Sequence, residues 1–235
     1  MVFKARASKM GDLMTNPRLK SETLSETAKT YLKEWLIQSK YKRKNVFTNK
    51  YVEKGNLNEE DGVTLASIYF RDYLDTDTEY KENDYFCGTC DINHEKHGII
   101  DIKNSYSLKT FPMFAEKIPD AKYEDQVKTY FELYNNRKGG IMYVLTDMPL
   151  ELLEREIKWL ETDDEKQEKA INFIFTLDNW KKAKEKLFPN AGEIEFVEIP
   201  KLERVKFFKV DYDEDWVEKA INKVKESRKY LVNLK

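Results

Sequence analysis

Apolar residues recur at spacings of three and four in several segments of the chain, which is the pattern of amphipathic helices. This periodicity predicts helices over residues 7–14, 21–44, 56–74, 121–136, 150–161, 163–188 and 213–231. Ser21 or Ser25 is placed to cap the second of these helices, whereas Gly62 weakens the third. The chain is therefore rich in helices whose apolar faces need a partner surface.

A second pattern, in which apolar and polar residues alternate, predicts strands. Residues 85–92 and 99–104 alternate on either side of a polar turn, which predicts a hairpin. Residues 139–147 predict a buried strand, and residues 193–200 and 204–210 predict two more. The order of these elements predicts an α/β (α+β) fold in which a mixed β-sheet is flanked by helices.

Composition narrows the class of protein. The 235 residues are 40% hydrophobic and 36% charged, which is too apolar for a disordered chain and too charged for a membrane protein. No apolar run approaches the roughly 20 residues that span a bilayer, and residues 1–10 lack the apolar core of a signal peptide. We therefore expect a cytoplasmic protein of one elaborated domain. The net charge of −2 neither favours nor excludes a nucleic-acid partner.

Potential metal ligands are concentrated in residues 87–105. Cys87, Cys90, His94 and His97 have the C-x2-C and H-x2-H spacings of tetrahedral zinc sites. Alternation along a strand, however, turns the two cysteines to opposite faces. The gap between Cys90 and His94 is also far shorter than the roughly 12 residues of a common zinc finger. We therefore do not favour structural zinc, and without a sign of export we expect no disulfide.

The same segment offers a second arrangement. Alternation places Asp101 and Lys103 on one face of their strand, while Ile100 and Ile102 face the core. A hairpin brings Asp91 beside Asp101, and two carboxylates a few ångströms apart form an oxygen-rich site for a hard cation such as Mg2+. A nearby lysine can hold a water or offset negative charge on a phosphate. The alternative is a solvent-facing charge pair on a half-exposed sheet.

Two of these motifs resemble the signature of PD-(D/E)xK nucleases. The spacing Asp91-x9-Asp101-x-Lys103 on a strand pair matches the core signature, with aspartate in place of the commoner glutamate and without the proline. Glu59 follows Gly55 by four residues, the G-x-x-x-E spacing that carries a metal-facing glutamate in some of these enzymes. Neither the aspartate in place of glutamate nor the missing proline removes a metal ligand.

Other positions resemble the lambda-exonuclease-like and YqaJ-type phage recombination exonucleases of that superfamily. Gln126 and Tyr130 match their Q-x-x-x-Y motif and lie one turn apart on a predicted helix. Ser8 matches the alanine-serine stretch that opens their DNA-end pocket. The chain begins too close to Ser8 to carry the upstream arginine that contacts the 5' phosphate in these enzymes. Arg6 or Arg18 is the available substitute, and the selection of a 5' end stays open.

The resemblance implies a restriction-endonuclease-like core in a single nuclease domain, residues 1–235, with residues 150–235 as a C-terminal elaboration. It implies Mg2+ as the cofactor, which Mn2+ can replace. The metal ligands that it implies are Asp91, Asp101, Glu59 and the backbone carbonyl of Ile102. The catalytic residues that it implies are Asp91, Asp101, Lys103, Glu59 and Gln126, and the DNA-binding residues are Ser8, Arg6 and Tyr130.

Basic and aromatic residues also interleave in residues 39–51. Such a segment can follow phosphates and stack on exposed bases. Lys42 and Arg43 are therefore further candidates for DNA binding. The alternative is a basic helix C-terminus that complements the helix dipole.

As a function, the resemblance implies hydrolysis of the phosphodiester bonds of duplex DNA from an end, in phage-type recombination. The partners that it implies are double-stranded DNA, further copies of the chain in a ring-shaped trimer, and a single-strand-annealing protein. The setting is the cytoplasm of a bacterial host, with no membrane association. Two alternatives stay open, which are a structure-specific or nicking DNA endonuclease and a catalytically silent DNA-binding protein.

Overall fold

The computed structural model describes residues 2–43 and 49–234 and shows an α/β fold in which two mixed β-sheets are flanked by helices. The strands are β1 (Ala5–Arg6), β2 (Lys81–Glu82), β3 (Phe86–Gly88), β4 (Ile92–His94), β5 (Gly98–Asn104), β6 (Gly139–Val144) and β7 (Val205–Lys209). The helices are α1 (Met10–Met14), α2 (Glu26–Tyr41), α3 (Lys50–Leu57), α4 (Glu59–Phe70), α5 (Lys122–Tyr134), α6 (Leu150–Ile157), α7 (Asp163–Ala170), α8 (Leu177–Leu187) and α9 (Glu214–Asn233). The predicted fold class is confirmed.

The central sheet has the strand order β4-β5-β6-β7, and a smaller sheet has the order β1-β3-β2. β4 and β5 form an antiparallel hairpin, β6 lies parallel to β5, and β7 lies antiparallel to β6. Gly139 permits the close pairing of β5 and β6, because its φ is +142° and a Cβ there would overlap the carbonyl of Ile99. The sheet therefore has β5, the strand of the candidate catalytic residues, in an inner position.

Helices α4 and α5 cover opposite faces of the central sheet. The apolar cluster on the α4 face includes Leu65, Ala66, Ile100, Met142 and Val144. The cluster on the α5 face includes Ile99, Val127, Tyr130, Phe131 and Ile141. Gly62 lets α4 approach closely, since a Cβ at this position would lie 3.1 Å from Ile102 Cγ2. Both faces of β5 are thus withdrawn from water, as in strands that are covered by helices on each side.

The first strand of the predicted hairpin is interrupted. Instead of one strand over residues 85–92, β3 ends at Gly88 and β4 begins at Ile92, and the two belong to different sheets. Gly88 lies tightly between Ala7 and Tyr130, because a Cβ on it would be 3.2 Å from each side chain. The break leaves Asp91 immediately before β4.

The predicted long helix over residues 163–188 is wrong, because a turn and a short irregular segment separate α7 from α8. The backbone N–H groups of Phe175 and Thr176 donate to the carboxylate of Asp147, and Phe175 is buried. The predicted strand over residues 193–200 is also wrong. This segment is irregular, and the N–H of its Ile199 donates to the Phe175 carbonyl instead of to a neighbouring strand.

Local capping explains where the early helices start. The Ser25 hydroxyl accepts a hydrogen bond from the N–H of Ala28 at 3.0 Å, so Ser25 and not Ser21 caps α2. The periodicity missed α3, which begins after Asn49, whose side chain accepts from two N–H groups of the first turn.

None of the helices within the described ranges is both long and apolar enough to cross a bilayer.

The C-terminal segment is joined to the rest of the fold at two places. β7 completes the central sheet beside β6. α9 shares an apolar cluster with the N-terminal helices and β3, and its members include Phe3, Leu13, Leu32, Phe86, Trp216, Val224 and Leu231. Arg228 of α9 donates to the Phe3 carbonyl at 2.9 Å.

Candidate active site

Two aspartates meet at the open end of the β4–β5 hairpin. The register pairs Ile92 with Ile100, so one step further Asp91 faces Asp101. The backbone N–H of Ile102 donates to Asp91 Oδ2 at 2.6 Å, which holds the Asp91 carboxylate against β5. The structure thus brings together the two carboxylates that the sequence pairs.

Asp101 is completely buried, with 0% of its surface exposed. Lys103 Nζ lies 2.6 Å from Asp101 Oδ2 and 4.7 Å from the centroid of the Tyr123 ring. The alternative of a solvent-facing charge pair is therefore wrong. Ile100 and Ile102 pack in the apolar cluster on the α4 face, as predicted, and α5 covers the Asp101 face with a second apolar cluster.

Gln126 and Tyr130 of α5 surround Asp101. Gln126 Nε2 donates to Asp101 Oδ1 at 2.9 Å and to Tyr130 Oη at 3.1 Å, and both side chains are buried. Asp101 Oδ2 is buried and lies 2.6 Å from Lys103 Nζ, with which it forms an ion pair. One oxygen of this buried carboxylate is therefore held by Gln126, and the other is paired with the lysine ammonium.

Burial and repulsion shift the protonation of these groups. The pKa of Asp91 is raised to about 7, first by burial and then by the negative charge of Asp101, against the opposing effect of Lys103. Burial likewise raises the pKa of Asp101, and Lys103 opposes this. Burial acts to lower the pKa of Lys103, but Asp101 and Asp91 outweigh it, so that pKa is raised. A divalent cation would therefore compete with a proton for the carboxylate pair near neutral pH.

The donor atoms of this pair suit a hard divalent cation. Asp101 Oδ2 is buried beside the Lys103 ammonium, and Asp91 lies opposite Asp101 across the hairpin. Carboxylate oxygens are the ligands that Mg2+ and Mn2+ prefer. The two carboxylates repel each other, which contributes to the raised pKa of Asp91, and a bound cation would relieve that repulsion.

Glu59 is near this pair but does not close the ligand set. It is the exposed first residue of α4, and its negative charge contributes to the raised pKa of Asp91. Among the described residues, the carboxylates of Glu59, Asp91 and Asp101 do not form a group whose ligand atoms all lie within 4.8 Å of one another. Its role as a metal ligand stays a prediction.

Comparison with solved structures relates this arrangement to known proteins. A phage-related exonuclease from Haemophilus somnus 129PT superposes with a TM-score of 0.77 at 25% sequence identity, over 100% of this chain and 96% of that one. An alkaline exonuclease from Laribacter hongkongensis superposes with a TM-score of 0.62 at 13% identity, over 98% of this chain and 88% of its own. No protein-family model and no curated protein sequence matches the chain.

The fold agreement extends over nearly the whole chain, and the hairpin within that fold carries the motif Asp91-x9-Asp101-x-Lys103 with its carboxylates facing each other. This fold and motif are consistent with the PD-(D/E)xK nuclease superfamily, and the structural neighbours are exonucleases. The lysine of the motif lies beside the buried aspartate in this nuclease, and the glutamine of α5 is bonded to that same aspartate.

A hydrogen-bond network positions the start of α4 in this nuclease. Asn58, directly before Glu59, is buried, and its Nδ2 donates to Thr146 Oγ1 at 2.6 Å and to the Asp147 carbonyl at 2.5 Å. Asn104 Nδ2 donates to the Asn58 carbonyl at 3.1 Å, and Thr146 Oγ1 donates to Asn104 Oδ1 at 2.6 Å. Sequence reasoning missed this network, whose one local signal is an asparagine before the acidic run at the helix start.

The N-terminal candidates for DNA binding lie on the α5 side of the nuclease. Ser8 is exposed in the short 3-10 helix Ala7–Lys9, which packs against α5. The Arg6 side chain is exposed, while its backbone N–H donates to Tyr31 Oη at 3.3 Å. Both side chains are accessible to a ligand at the helix that carries Gln126.

The other basic candidates lie at the end of α2. Lys42 is exposed in the left-handed conformation at the C-cap, and Arg43 is exposed after it. Residues 44–48 of the predicted basic segment lie outside the described residues. Within the described ranges, neither Lys42 nor Arg43 is bonded to the carboxylate pair. A role for them in DNA binding stays a prediction.

The four potential zinc ligands do not come together. Cys87 and Cys90 are free and buried, and the backbone N–H of Cys90 donates to Tyr134 Oη at 3.2 Å. His94 and His97 instead lie beside Asp72, in the one group of three potential metal ligands found in the described part of the chain. The Cys2His2 alternative is therefore wrong.

Proposed function

We propose that the chain is a Mg2+-dependent DNA exonuclease that hydrolyses duplex DNA from an end. The observation that carries this proposal is the completely buried Asp101, which lies opposite Asp91 in the hairpin and 2.6 Å from a charged lysine. The two solved structures described above, which share the fold, are both named exonucleases. Mn2+ prefers the same oxygen donors and should replace Mg2+.

Asp91 and Asp101 would hold the cation, with Glu59 and the Ile102 carbonyl as further ligands. A divalent cation bound there lowers the pKa of a water molecule and stabilises negative charge on a phosphodiester. The backbone bond from Ile102 to Asp91, and the bond from Gln126 to Asp101, fix the directions of the two carboxylates. The ligand set is therefore preorganised before DNA arrives.

Lys103 would orient the attacking water and offset charge on the phosphate. Its ammonium is held between Asp101 and the Tyr123 ring, and its side chain is 21% exposed, so it can face a substrate. Because its pKa is raised, Lys103 is charged at neutral pH and does not serve as a general base there. Its contribution is electrostatic.

Gln126 and Tyr130 would act through Asp101. The amide of Gln126 donates to both Asp101 and Tyr130, so these side chains form a chain of hydrogen bonds behind the carboxylate. Burial, and then the charge of Asp101, raises the pKa of Tyr130, so its hydroxyl keeps its proton. We assign Gln126 a positioning role, in addition to the predicted contact with the DNA strand.

The product and the biological setting follow from the same proposal. The Laribacter alkaline exonuclease also has a structure in complex with dAMP, a deoxynucleoside monophosphate. We expect mononucleotides of this class as the product here.

Together with the sequence resemblance, the likeness to a phage-related exonuclease supports a role in phage-type recombination, as a ring-shaped homotrimer with a single-strand-annealing partner.

The decisive experiment compares a linear duplex, a nicked circle and a covalently closed circle of one sequence, each with Mg2+. An exonuclease needs an end, so the linear duplex should be digested to mononucleotides and one surviving strand, and the closed circle should stay intact. Asp101→Asn is the matched inactive control. Nicking or linearisation of the closed circle at a comparable rate would select the endonuclease alternative. No cleavage of any substrate above the Asp101→Asn background would select the catalytically silent DNA-binding protein.

A further inference from the structure

The turn end of the β4–β5 hairpin carries a cluster of side chains that the nuclease mechanism does not use. His94 ends β4 and His97 lies in the turn, and they are the only two histidines of the chain. Asp72 joins them from the segment that follows α4. A ring nitrogen of each histidine and a carboxylate oxygen of Asp72 all lie within 4.8 Å of one another.

Packing orients these three side chains. His97 Nε2 lies 3.0 Å from Asp72 Oδ2, and the His97 side chain is only 13% exposed. The rings of His94 and His97 stack with their centroids 5.0 Å apart and 23° between their planes. Phe70 packs on His97 with a centroid distance of 4.5 Å. Two imidazoles and a carboxylate therefore lie close enough together to share one metal ion.

We propose that Asp72, His94 and His97 form a binding site for a divalent transition-metal ion, with Zn2+ as the best-suited ion. Two imidazoles and one carboxylate are a donor set that zinc accepts, with water in the fourth position. Zinc bonds to these donors are about 2.0–2.2 Å long, which places neighbouring ligands of a tetrahedron about 3.3 Å apart. The 3.0 Å between His97 Nε2 and Asp72 Oδ2 is close to that separation.

This site is distinct from the nuclease centre in both place and chemistry. Asp91 lies three residues before His94, which at about 3.3 Å per strand residue corresponds to about 10 Å. The nuclease pair offers only oxygen donors, which suit Mg2+, whereas the imidazoles of the turn suit zinc. The turn site should therefore prefer zinc over Mg2+.

Lys96 is the group that opposes metal binding here. Its Nζ lies 3.3 Å from Asp72 Oδ2, the oxygen that also contacts His97. The Lys96 side chain is 70% exposed, so its ammonium can move into water when a metal ion takes the carboxylate. Competition between Lys96 and the metal gives the site a diagnostic property, because removal of Lys96 should strengthen binding.

The site would join two elements that carry the predicted nuclease ligands. Asp72 lies just beyond the end of α4, whose first residue is Glu59, and His94 lies on the strand that begins after Asp91. A metal that binds only the folded protein stabilises it by mass action. Zinc should therefore raise the melting temperature of the protein without changing the cation requirement of the nuclease centre.

The test uses the untagged, chelator-treated full-length protein and Zn2+ alone. Calorimetry should give one zinc per chain, and because the chain has only two histidines, ring-nitrogen NMR should show both imidazoles shifting together. His94→Ala and His97→Ala should each weaken zinc binding at least tenfold, and Lys96→Ala should tighten it severalfold. Asp72→Asn keeps the shape and the polar contact of the carboxylate while it removes the charge, so it tests the ligand without a risk to the fold.

Two controls separate this proposal from the nuclease function. Asp101→Asn should retain wild-type zinc binding, and Cys87→Ser with Cys90→Ser should also retain it, together with nuclease activity in Mg2+. Zinc that binds with unchanged affinity to the two histidine variants, or that is lost in the cysteine variant, overturns the proposal. So does the absence of any calorimetric signal or imidazole shift in the wild-type protein, whatever the outcome of the DNA cleavage assays.

Discussion

Asp101 is a completely buried carboxylate with a partner for each oxygen. Its Oδ1 accepts a hydrogen bond from Gln126, and its Oδ2 lies 2.6 Å from the Lys103 ammonium. The nearby charge of Asp101 contributes to the raised pKa of Asp91, because the two carboxylates repel each other. Such a pair is suited to binding a cation, which would offset both negative charges.

Asp101→Asn should abolish cleavage, because the amide keeps the shape of the side chain but loses the charge that holds the cation. Calorimetry should show weakened Mg2+ binding, while duplex binding in the presence of a chelator should be unchanged. Asp211→Asn, which alters a carboxylate that is 83% exposed, is the matched control and should be fully active. Wild-type activity in the Asp101 variant would exclude the nuclease centre.

Lys103→Ala should retain metal and duplex binding and lose at least about a hundredfold in cleavage rate, the usual magnitude for a positioned electrostatic group. Loss of the ammonium also removes the group that opposes the raised pKa values of Asp91 and Asp101, so the acidic limb of the pH–rate profile should move to higher pH. Lys209→Ala, at a side chain that is 75% exposed, is the control. Wild-type turnover would assign Lys103 a purely structural role.

The raised pKa of Asp91 predicts how the stability of the metal-free protein depends on pH. A carboxyl with a folded-state pKa of about 7 contributes stability below its unfolded value, and this contribution is lost as the pH rises through about 7. Asp91→Asn should therefore stabilise the metal-free protein near pH 8 by up to roughly 4 kcal/mol and have little effect near pH 4. Thermal unfolding in a chelator checks this, and a variant that is equally destabilised at both pH values would contradict it.

At the level of secondary-structure elements, the nuclease centre depends on how α4 is joined to the central sheet. Asn58 links the first turn of α4 to Asn104 at the end of β5 and to Thr146 just after β6. Gly62 then lets the helix lie close to Ile102. The position of Glu59 relative to Asp91 is therefore set by contacts between elements and not by the hairpin.

Asn58→Ala should remove two hydrogen bonds of this network and destabilise the protein by about 1–3 kcal/mol. If Asn58 positions Glu59, the rate losses of Asn58→Ala and Glu59→Gln should be less than additive in the double variant. Chemical denaturation and steady-state cleavage rates measure the two effects. Asn56→Ala, at an exposed position of α3, is the control. Fully additive rate losses would show that Asn58 serves stability alone.

In the whole molecule, the two ends of the chain pack on each other. α9 buries Trp216 and Val224 in the cluster that contains Phe3, and Trp216 Nε1 donates to Asp125 Oδ1 at 2.7 Å, next to Gln126 on α5. β7 supplies the edge of the central sheet beyond β6. The C-terminal segment therefore supports the helix that holds Asp101 in place.

Deletion of residues 214–235 should leave a chain that does not fold to a cooperative, active state, because it exposes the apolar cluster shared by α9 and the N-terminal helices. Near-ultraviolet circular dichroism and thermal unfolding of the truncated chain measure this. Val232→Ser, at a side chain that is 67% exposed on the same helix, is the control and should fold normally. A truncated chain that melts cooperatively and cleaves DNA would contradict the prediction of a single domain over residues 1–235.

The features that followed from the sequence are those that depend on near neighbours along the chain. Alternation and a short turn were enough to place Asp91, Asp101 and Lys103 together, because a hairpin of this length leaves few possible registers. The spacing of three and four residues likewise predicted α2, α5 and α9, since each presents a continuous apolar stripe. The order of the motifs along the chain and the fold class were predicted from the same local patterns.

Features that depend on distant segments could not be derived in this way. Alternation assigns Asp101 to a face of β5, but only the packing of α5 shows that this face is buried. Residues 163–188 have helical periodicity, yet Asp147 binds the backbone at Phe175 and Thr176 and ends the helix. His97 meets Asp72 across 25 residues of sequence. In each case the stabilising contact comes from a side chain or a surface that is distant in sequence, so the periodicity of the segment itself does not reveal it. The tertiary structure therefore decides the outcome.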